Sequence, residues 1–437
     1  MSGRLFAAAL AAALTFVAPP SAARQDAAPE FTIAVIPDTQ NYLDFKRQRA
    51  AGFPFDASEM LMGQMSFIAR NLAEAGGKIA FVTHVGDVWQ HPTGGIDAAH
   101  RALGLAADPT NAVVAHYVAD PRSVAIEMEG GRRALRLIAG KTPFSVVPGN
   151  HDYDAFWADS RFPQAPDPRN PGDHPTPYGL LHYGGLENFN RVFAPDSEFF
   201  HGQPWYVAHY NGGANSAQVF EAAGYRFLHI GLEMAPHDDV IGWAASVVER
   251  HRGLPTIVTI HDHLDRLGER RALPEVDFKK VNPEHNDPED LWREFLSRHD
   301  QIFLVLSGHQ NGQSRRVDTG AGGGKVWQLL ADYQDRNQSL RNVDPDAKAQ
   351  GGVGDGWLRL LNFDFSASVP RLQVRTWSTH FNAYARDLPQ YAAWYKAHEQ
   401  PQMTDAQFLD QEEFELELDD FVRRFGTARA AEASRDR

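Results

Sequence analysis

The chain has 437 residues, 43% hydrophobic and 22% charged, with a formal net charge of −14 and no cysteine. That length can bury a core as one large domain or two average ones. The acidic balance argues against a general binder of nucleic acid or anionic membrane, although bound cations can reverse the local field for an anionic substrate. Without cysteine there are no disulfides, thiolate metal sites, iron–sulfur clusters or cysteine nucleophiles, so any metal must rest on histidine, carboxylate, amide and water. Nineteen histidines invite a search for such a site.

At the N-terminus, Arg4, an apolar run from Leu5 to Ala18, and small residues from Ser21 to Ala23 read as a bacterial-type signal peptide over residues 1–23. The expectation is export to the periplasm or beyond the cell. The run is shorter than the roughly 20 apolar residues of a membrane span, and no later run is long enough, so no span is expected in the mature chain. Then comes "FTIAVIPDTQ", a β-branched run from Phe31 to Ile36 stopped by Pro37. A helix is expected at about 58–75, with Leu61, Met65, Ile68 and Leu72 at helical spacing, Asp56 and Glu59 resembling a capping box, and Gly76-Gly77 ending it. "KIAFVTHVGD", "PFSVVPGNHD", "YRFLHIGLEM", "PTIVTIHDH" and "QIFLVLSGH" read as further strands. Helices are expected at about 241–252 and from Asp287-Pro288 through Phe295.

Strands alternating with helices, with polar residues gathered just past the strand ends, form an α/β pattern whose ligands bind beyond the strand C-termini. Strands near 325–331, 357–363 and 371–377 follow one another without helices, so part of the architecture is antiparallel (α+β by strand arrangement). A two-sheet β-sandwich flanked by helices fits this mixture. The domain runs over 31–380, with insertions at about 93–141 and 156–211 that would border the active site. Residues 390–437 read as an acidic, partly helical tail whose final "ARAAEASRDR" frays. No internal repeat is present.

Five strand ends present polar groups: Asp38 and Gln40; Gly86-Asp87; Gly149-Asn150-His151-Asp152; His261; and Gly308-His309 with Asn311. Each alone says little, since a Gly-Asp turn is commonly a cap and a lone histidine near a strand end is commonly a satisfied polar residue. The ordered series is different: "DTQ…GD…GNHD…H…GHQN" resembles the calcineurin-like metallophosphoesterases, whose usual pattern is D-x-H, GD, GNH followed by Asp or Glu, H, and GHxH. The resemblance covers roughly Phe31 to Trp377 and departs at Gln40 and Asn311, where the family carries histidines.

The resemblance implies a four-layer β-sandwich carrying two metals. Asp87 would bridge both; Asp38, Gln40 and Asn311 would serve the first; Asn150, His261 and His309 the second. His151 would act on the leaving group, with Asp152 orienting its ring. The aspartate that some members place three residues after the GD aspartate is Gln90 here, which leaves that support open. If Gln40 and Asn311 coordinate, they do so through amide oxygen. The first site then suits a harder cation (Mn²⁺, Mg²⁺ or Ca²⁺) and holds it more weakly, while the second suits Zn²⁺, Mn²⁺ or iron. The alternative is that they do not ligate and one site stays empty.

Other residues carry weaker signals. His84, inside the second strand, reads as packing beneath the site, and His263 competes with His261 as a ligand. His209 and Asn211 are candidates to touch substrate, as is Tyr333 beside Asp332, for which core packing is the competing reading. "GAGGGK" at 320–325 lacks the spacing of a phosphate loop and reads as a hairpin turn.

The function expected is hydrolysis of a phosphoric ester by a water activated between two cations, with a phosphomonoesterase favoured. The substrate would be a phosphorylated small molecule, protein or lipid. A diesterase acting on nucleotides or lipid head groups is one alternative. A catalytically weak binding protein on the same fold is another.

Overall fold

The computed structural model of the protein describes residues 29–91, 102, 120–159, 180–272, 276–345 and 352–426. The expected signal peptide, the middle of each insertion and the closing "ARAAEASRDR" lie outside the described residues.

The strands, in chain order, are β1 (Glu30–Ile36), β2 (Ile79–His84), β3 (Phe144–Val146), β4 (Ala155–Asp159), β5 (Leu180–Gly184), β6 (Tyr206–Tyr210), β7 (Asn215–Ala222), β8 (Tyr225–Leu232), β9 (Thr256–Ile260), β10 (Ile302–Ser307), β11 (Gly312–Thr319), β12 (Lys325–Asp332), β13 (Trp357–Asp364), β14 (Arg371–Ser378), β15 (Ala383–Tyr384) and β16 (Phe414–Glu417). They build two seven-stranded sheets. One runs β15-β14-β13-β1-β2-β3 with β16 also on β14, the other β11-β12-β10-β9-β8-β7-β6; β4 and β5 form a separate hairpin. In the first sheet β1, β2 and β3 run parallel out to one edge and the remaining pairings are antiparallel; in the second the centre (β8, β9, β10 and β12) is parallel and both margins are antiparallel.

The two-residue period of a strand sets the layers. In β1, Phe31, Ile33 and Val35 face the second sheet, packing with Phe81, Phe220, Phe227 and Phe303, while Ala34 and Ile36 face the helix Ser58–Arg70 through Leu61, Met65 and Ile68. Burial on both faces explains why β1 reads as a continuous apolar run rather than an alternating one. Phe31 stacks on Phe363 at 4.8 Å and lies 5.3 Å from Phe227. The outer face of the second sheet is covered by the helix Asp238–Arg250 and by Leu291, Phe295 and Leu296. The result is a two-sheet sandwich flanked by helices. Among the described residues no helix is long and apolar enough to cross a membrane.

Local differences from expectation have local causes. The first long helix is Ser58–Arg70 rather than 58–75, because Leu72 leaves to bridge Ile79 and a 3₁₀ turn at Ala73–Ala75 ends at Gly76 (φ 86°). Asp56 does not cap it: its carboxylate accepts from the Arg49 N–H instead. Asp287 does cap, its side chain accepting from the Asp290 N–H at 2.8 Å, and that helix continues as a π-turn through Leu296.

The segment set apart at 390 is built into the sandwich. Helices Tyr391–Glu399 and Asp405–Glu412 lead to β16, which pairs with β14, and Phe421 and Phe425 enter the inter-sheet core. Two of its acidic residues are buried counter-ions: Glu399 and Glu412 both hold Arg336, which is 1% exposed, at 2.8 and 2.5 Å. Composition alone cannot distinguish such glutamates from solvated ones. Removing one partner of a buried pair costs about 3–5 kcal/mol, so this joint fastens the turn that follows β12.

Candidate metal centre

The parallel strands of both sheets end at one rim, and their last residues turn into the loops that carry the candidate residues. Asp38 follows β1, Asp87 follows β2, Asn150 to Asp152 follow β3, His261 follows β9, His309 follows β10, and Asp332 is the last residue of β12. The rim lies where polar groups can collect without interrupting either sheet's ladder.

Close approach is built into the loops. A Cβ on Gly149 would fall 2.2 Å from Asp87 Oδ1, and one on Gly308 would fall 2.1 Å from Asp38 Oδ1. Asp87 and His309 themselves have left-handed backbones (φ 54° and 70°), a conformation costing about 1–3 kcal/mol for a non-glycine residue and concentrated at functional sites.

Asp87, His261 and His309 are buried, and each offers a ligand atom within 4.8 Å of the others, an arrangement that can hold a metal ion. His261 Nδ1 donates to the Val85 carbonyl at 2.8 Å, which turns Nε2 inward to lie 3.1 Å from Asn150 Oδ1 and 3.3 Å from Asp87 Oδ1. A backbone carbonyl behind a ring nitrogen is the usual way to orient a histidine ligand. His309 Nε2 is buried without a partner. An orphaned imidazole nitrogen beside a buried carboxylate fits a cation, since burial without a partner is otherwise costly.

The electrostatics agree with that fit. Against the cost of burial, Asp87 and Asp38 push His261 up to about 10. Burial, then the charge of His261, pushes His309 down to about 3. Burial raises the Asp87 carboxyl, but His261 and His151 more than offset it and hold the group below the usual carboxylate range. Burial, then Asp332 and Asp87, holds Asp38 well above that range. His261 is thus favoured as a cation beside Asp87, the one acid of the group held below the usual range, and a divalent cation would take over that positive charge.

The other half of the rim is all oxygen and amide. The Asp38 carboxylate accepts from the His309 N–H at 3.1–3.3 Å. Gln40 Nε2 donates to Asp87 Oδ2 at 3.0 Å and also meets Gln334 Oε1, while Gln40 Oε1 is buried without a partner. Asn311 does not face this group: its Nδ2 donates to Asp335 Oδ2 at 2.5 Å and its Oδ1 accepts from Gln334 Nε2 at 3.1 Å.

His151 sits over the rim, its side chain 14% exposed and Nε2 4.0 Å from Asp87 Oδ2. Its Nδ1 lies 2.8 Å from the Gln90 carbonyl, so the support left open by Gln90 comes from that residue's backbone. Asp152 does not orient the ring. Its carboxylate accepts from the N–H groups of Val88 and Gly149 at 2.9 Å and of Trp89 at 3.4 Å, fixing the loop that carries Asp87. Burial and the charge of Asp87 push Asp152 up to about 8.

Three substrate candidates are corrected. Tyr333 is core: it is 1% exposed, with its hydroxyl on Thr376 and Glu412, both at 3.2 Å. His209 is exposed on β6, three strands from β9, or roughly 14 Å at about 4.8 Å per strand. Asn211 donates to Glu233 at 3.2–3.3 Å rather than joining the rim. His84 lies beneath the site, bonded to Thr39 Oγ1 and the Gly86 N–H, and His263 points to Gln328.

The sequence reading had no signal for Gln334, Asp335 or Glu127. Glu127 accepts from the N–H groups of Phe45, Gln90 and His91 at 3.0–3.2 Å and lies 2.7 Å from His91 Nδ1. With Asp44 and His91 it forms a second buried group within metal-ligand distance, yet those N–H donors already satisfy its oxygens. It thereby fixes the backbone that presents the Gln90 carbonyl to His151.

A scan of known protein families finds no match to the chain. Among curated proteins the chain is similar to the uncharacterized protein YvnB of Bacillus subtilis (strain 168), 26% identical over 221 residues. That stretch covers 47% of this chain and 14% of YvnB, so the chain matches about a seventh of its relative's length and the likeness carries no activity with it.

Proposed function

We propose that the protein is an exported, metal-dependent phosphoesterase of the calcineurin-like type, hydrolysing a phosphomonoester. The observation that carries this reading is the convergence of Asp87, Asn150 and His261 on one point beside the unpartnered His309 Nε2. The motif order supports it, and so does a histidine, His151, standing over the cluster without joining it.

A pair of divalent cations, when bound, supplies positive charge for the phosphoryl oxygens and an acidified water as nucleophile. The chain's own residues do the rest. Asn150 Oδ1, His261 Nε2, His309 Nε2 and Asp87 would hold the tighter ion, and the Val85 carbonyl keeps His261 in the tautomer that offers Nε2. The oxygen side of the rim would take the weaker, harder ion. His151 directs Nδ1 to the Gln90 carbonyl, so Nε2 is the atom that delivers a proton to the departing alkoxide. The buried floor of His84, Asp152 and Thr39 keeps bulk water from reaching the carboxylates from below. With a net charge of −14 on the chain, those cations would offset its repulsion of an anionic substrate.

The test is hydrolysis of p-nitrophenyl phosphate against bis-p-nitrophenyl phosphate with Mn²⁺, Zn²⁺, Mg²⁺ and Ca²⁺. Turnover of the monoester that a chelator abolishes is expected. A preference for the diester moves the assignment to a phosphodiesterase, and no turnover with any metal overturns the enzyme reading in favour of a binding protein.

A further inference from the structure

Both ends of the Asn311 amide are directed to Asp335 and Gln334 rather than to the weaker half of the rim. The neighbouring strand supplies a better group. Strand β12 runs parallel to β10, with Leu330 level with Ser307, and β12 continues two residues further to Asp332, beside the loop that carries His309. Across β11 it pairs with Gly312, the residue after Asn311. Its carboxylate is 1% exposed and, among the described residues, accepts only from Gln334, through the backbone N–H at 3.0 Å and Nε2 at 3.2 Å.

Three carboxylates of the rim, Asp38, Asp87 and Asp332, are each about 1% exposed, and two amides link Asp332 to Asp87: Gln334 Nε2 donates to Asp332 Oδ2, Gln334 Oε1 meets Gln40 Nε2, and Gln40 Nε2 donates to Asp87 Oδ2. Among the described residues no lysine or arginine pairs with any of them; His261 Nε2 stands near Asp38 and Asp87, and His151 Nε2 lies 4.0 Å from Asp87 Oδ2. An independent observation points to a ligand: Gln40, 2% exposed and with its amide against Asp87 Oδ2, leaves Oε1 buried and unpartnered.

We infer that Asp332, with Asp38, Asp87 and the amide oxygen of Gln40, binds the second cation, and that Asn311 is not a ligand. The inference rests on the two-cation reading above and changes its ligand set. A neutral amide at 311 is compensated by an anionic oxygen arriving from the adjacent strand. Three carboxylates and an amide select a hard ion such as Mn²⁺ or Mg²⁺ over Zn²⁺. Asn311 and Asp335 become the props of the Gln334 turn, whose far end is fastened by Arg336 to Glu399 and Glu412.

The experiment uses the full chain, stripped with a chelator and titrated with Mn²⁺, following bound ion by elemental analysis and calorimetry and melting temperature by circular dichroism. Wild type is expected to bind two Mn²⁺ per chain. Asp332→Asn should keep the tighter ion, weaken the second at least tenfold, and lose most of the Mn²⁺-dependent gain in melting temperature. Its metal-free form should melt no lower than wild type, because a buried repulsive charge has been removed. Asp332→Glu should fall between them, and Asn311→Ala should bind both ions as wild type does. The ligand assignment is overturned if Asp332→Asn binds two ions normally, or if it melts lower with and without Mn²⁺ by the same amount, the mark of a purely structural role. Loss of the second ion in Asn311→Ala overturns it equally. A wild type that binds a single Mn²⁺ removes the two-cation reading itself, and Asp332 with it.

Discussion

The His261–His309 half of the rim and the Asp38–Asp332 half are equally buried, yet they are organised on different principles. In the first half, the His261 ring is fixed from behind by the Val85 carbonyl, and the donors, Asp87 among them, converge on a common point. In the second, carboxylates and amides bond one another through Gln40 and Gln334, and the framework that positions them is remote, at Arg336 and the C-terminal helices. A preset site binds its ion more tightly, because less ordering remains to be done on binding. An oxygen site held through flexible amides is softer and selects harder ions.

The sharpest way to break this contrast is at the residue common to both halves. Asp87→Ala should empty both sites in an elemental analysis and abolish hydrolysis, a loss of at least about 10²–10³-fold. Retention of two ions would show that the halves are not joined there. Next in size, His151→Ala should slow turnover by about 10²–10⁴-fold with both ions still bound; a loss of metal would mean that this ring is a ligand.

A smaller change tests the backbone that holds His151. Glu127→Gln loses carboxylate acceptors for the Gln90 and His91 N–H groups. It should lower kcat by about 10–100-fold, the range of groups that orient active side chains, while metal content and KM stay unchanged. An equal loss in an unfolding assay with unaltered kcat would assign Glu127 to stability alone.

The smallest effect asks whether the carboxylates, rather than burial, charge His261. His229 is buried just as completely but lies between Gln218 Oε1 and Thr259 Oγ1, and burial pushes it down to about 3. Its unfolded form takes up a proton below about pH 6.5, while the folded form resists down to about 3. Stability is therefore whole above pH 6.5 and lost as pH falls through that window. At pH 5 the cost is about 2 kcal/mol relative to pH 7. Denaturant titrations of wild type and His229→Gln at both values should show a shallower loss in the variant; equal losses would assign the acid sensitivity elsewhere.

Much of this was written into the chain. The apolar runs before Asp38, Asp87, Asn150, His261 and His309 announced the strands and put each polar group at a strand end, because a period of two and a following glycine or proline act locally. The Asp287 cap was legible for the same reason. Non-local pairing hid the rest. The strand ending at Asp332 was readable, but its register against Gly312 was not. Asp152 looked like a support for its neighbour His151 until the fold brought the N–H groups of Val88 and Trp89 to it.

Residue order by itself determined that a two-sheet sandwich would gather carboxylates, an asparagine and histidines at its strand ends, since strand periodicity and turn chemistry are short-range properties. Only the tertiary structure decided which of them meet. Whether a buried amide faces a cation or another amide depends on side chains brought together from distant parts of the chain, and on a buried arginine held by two glutamates from the C-terminal helices. Those contacts follow from packing in three dimensions, which no window along the chain contains.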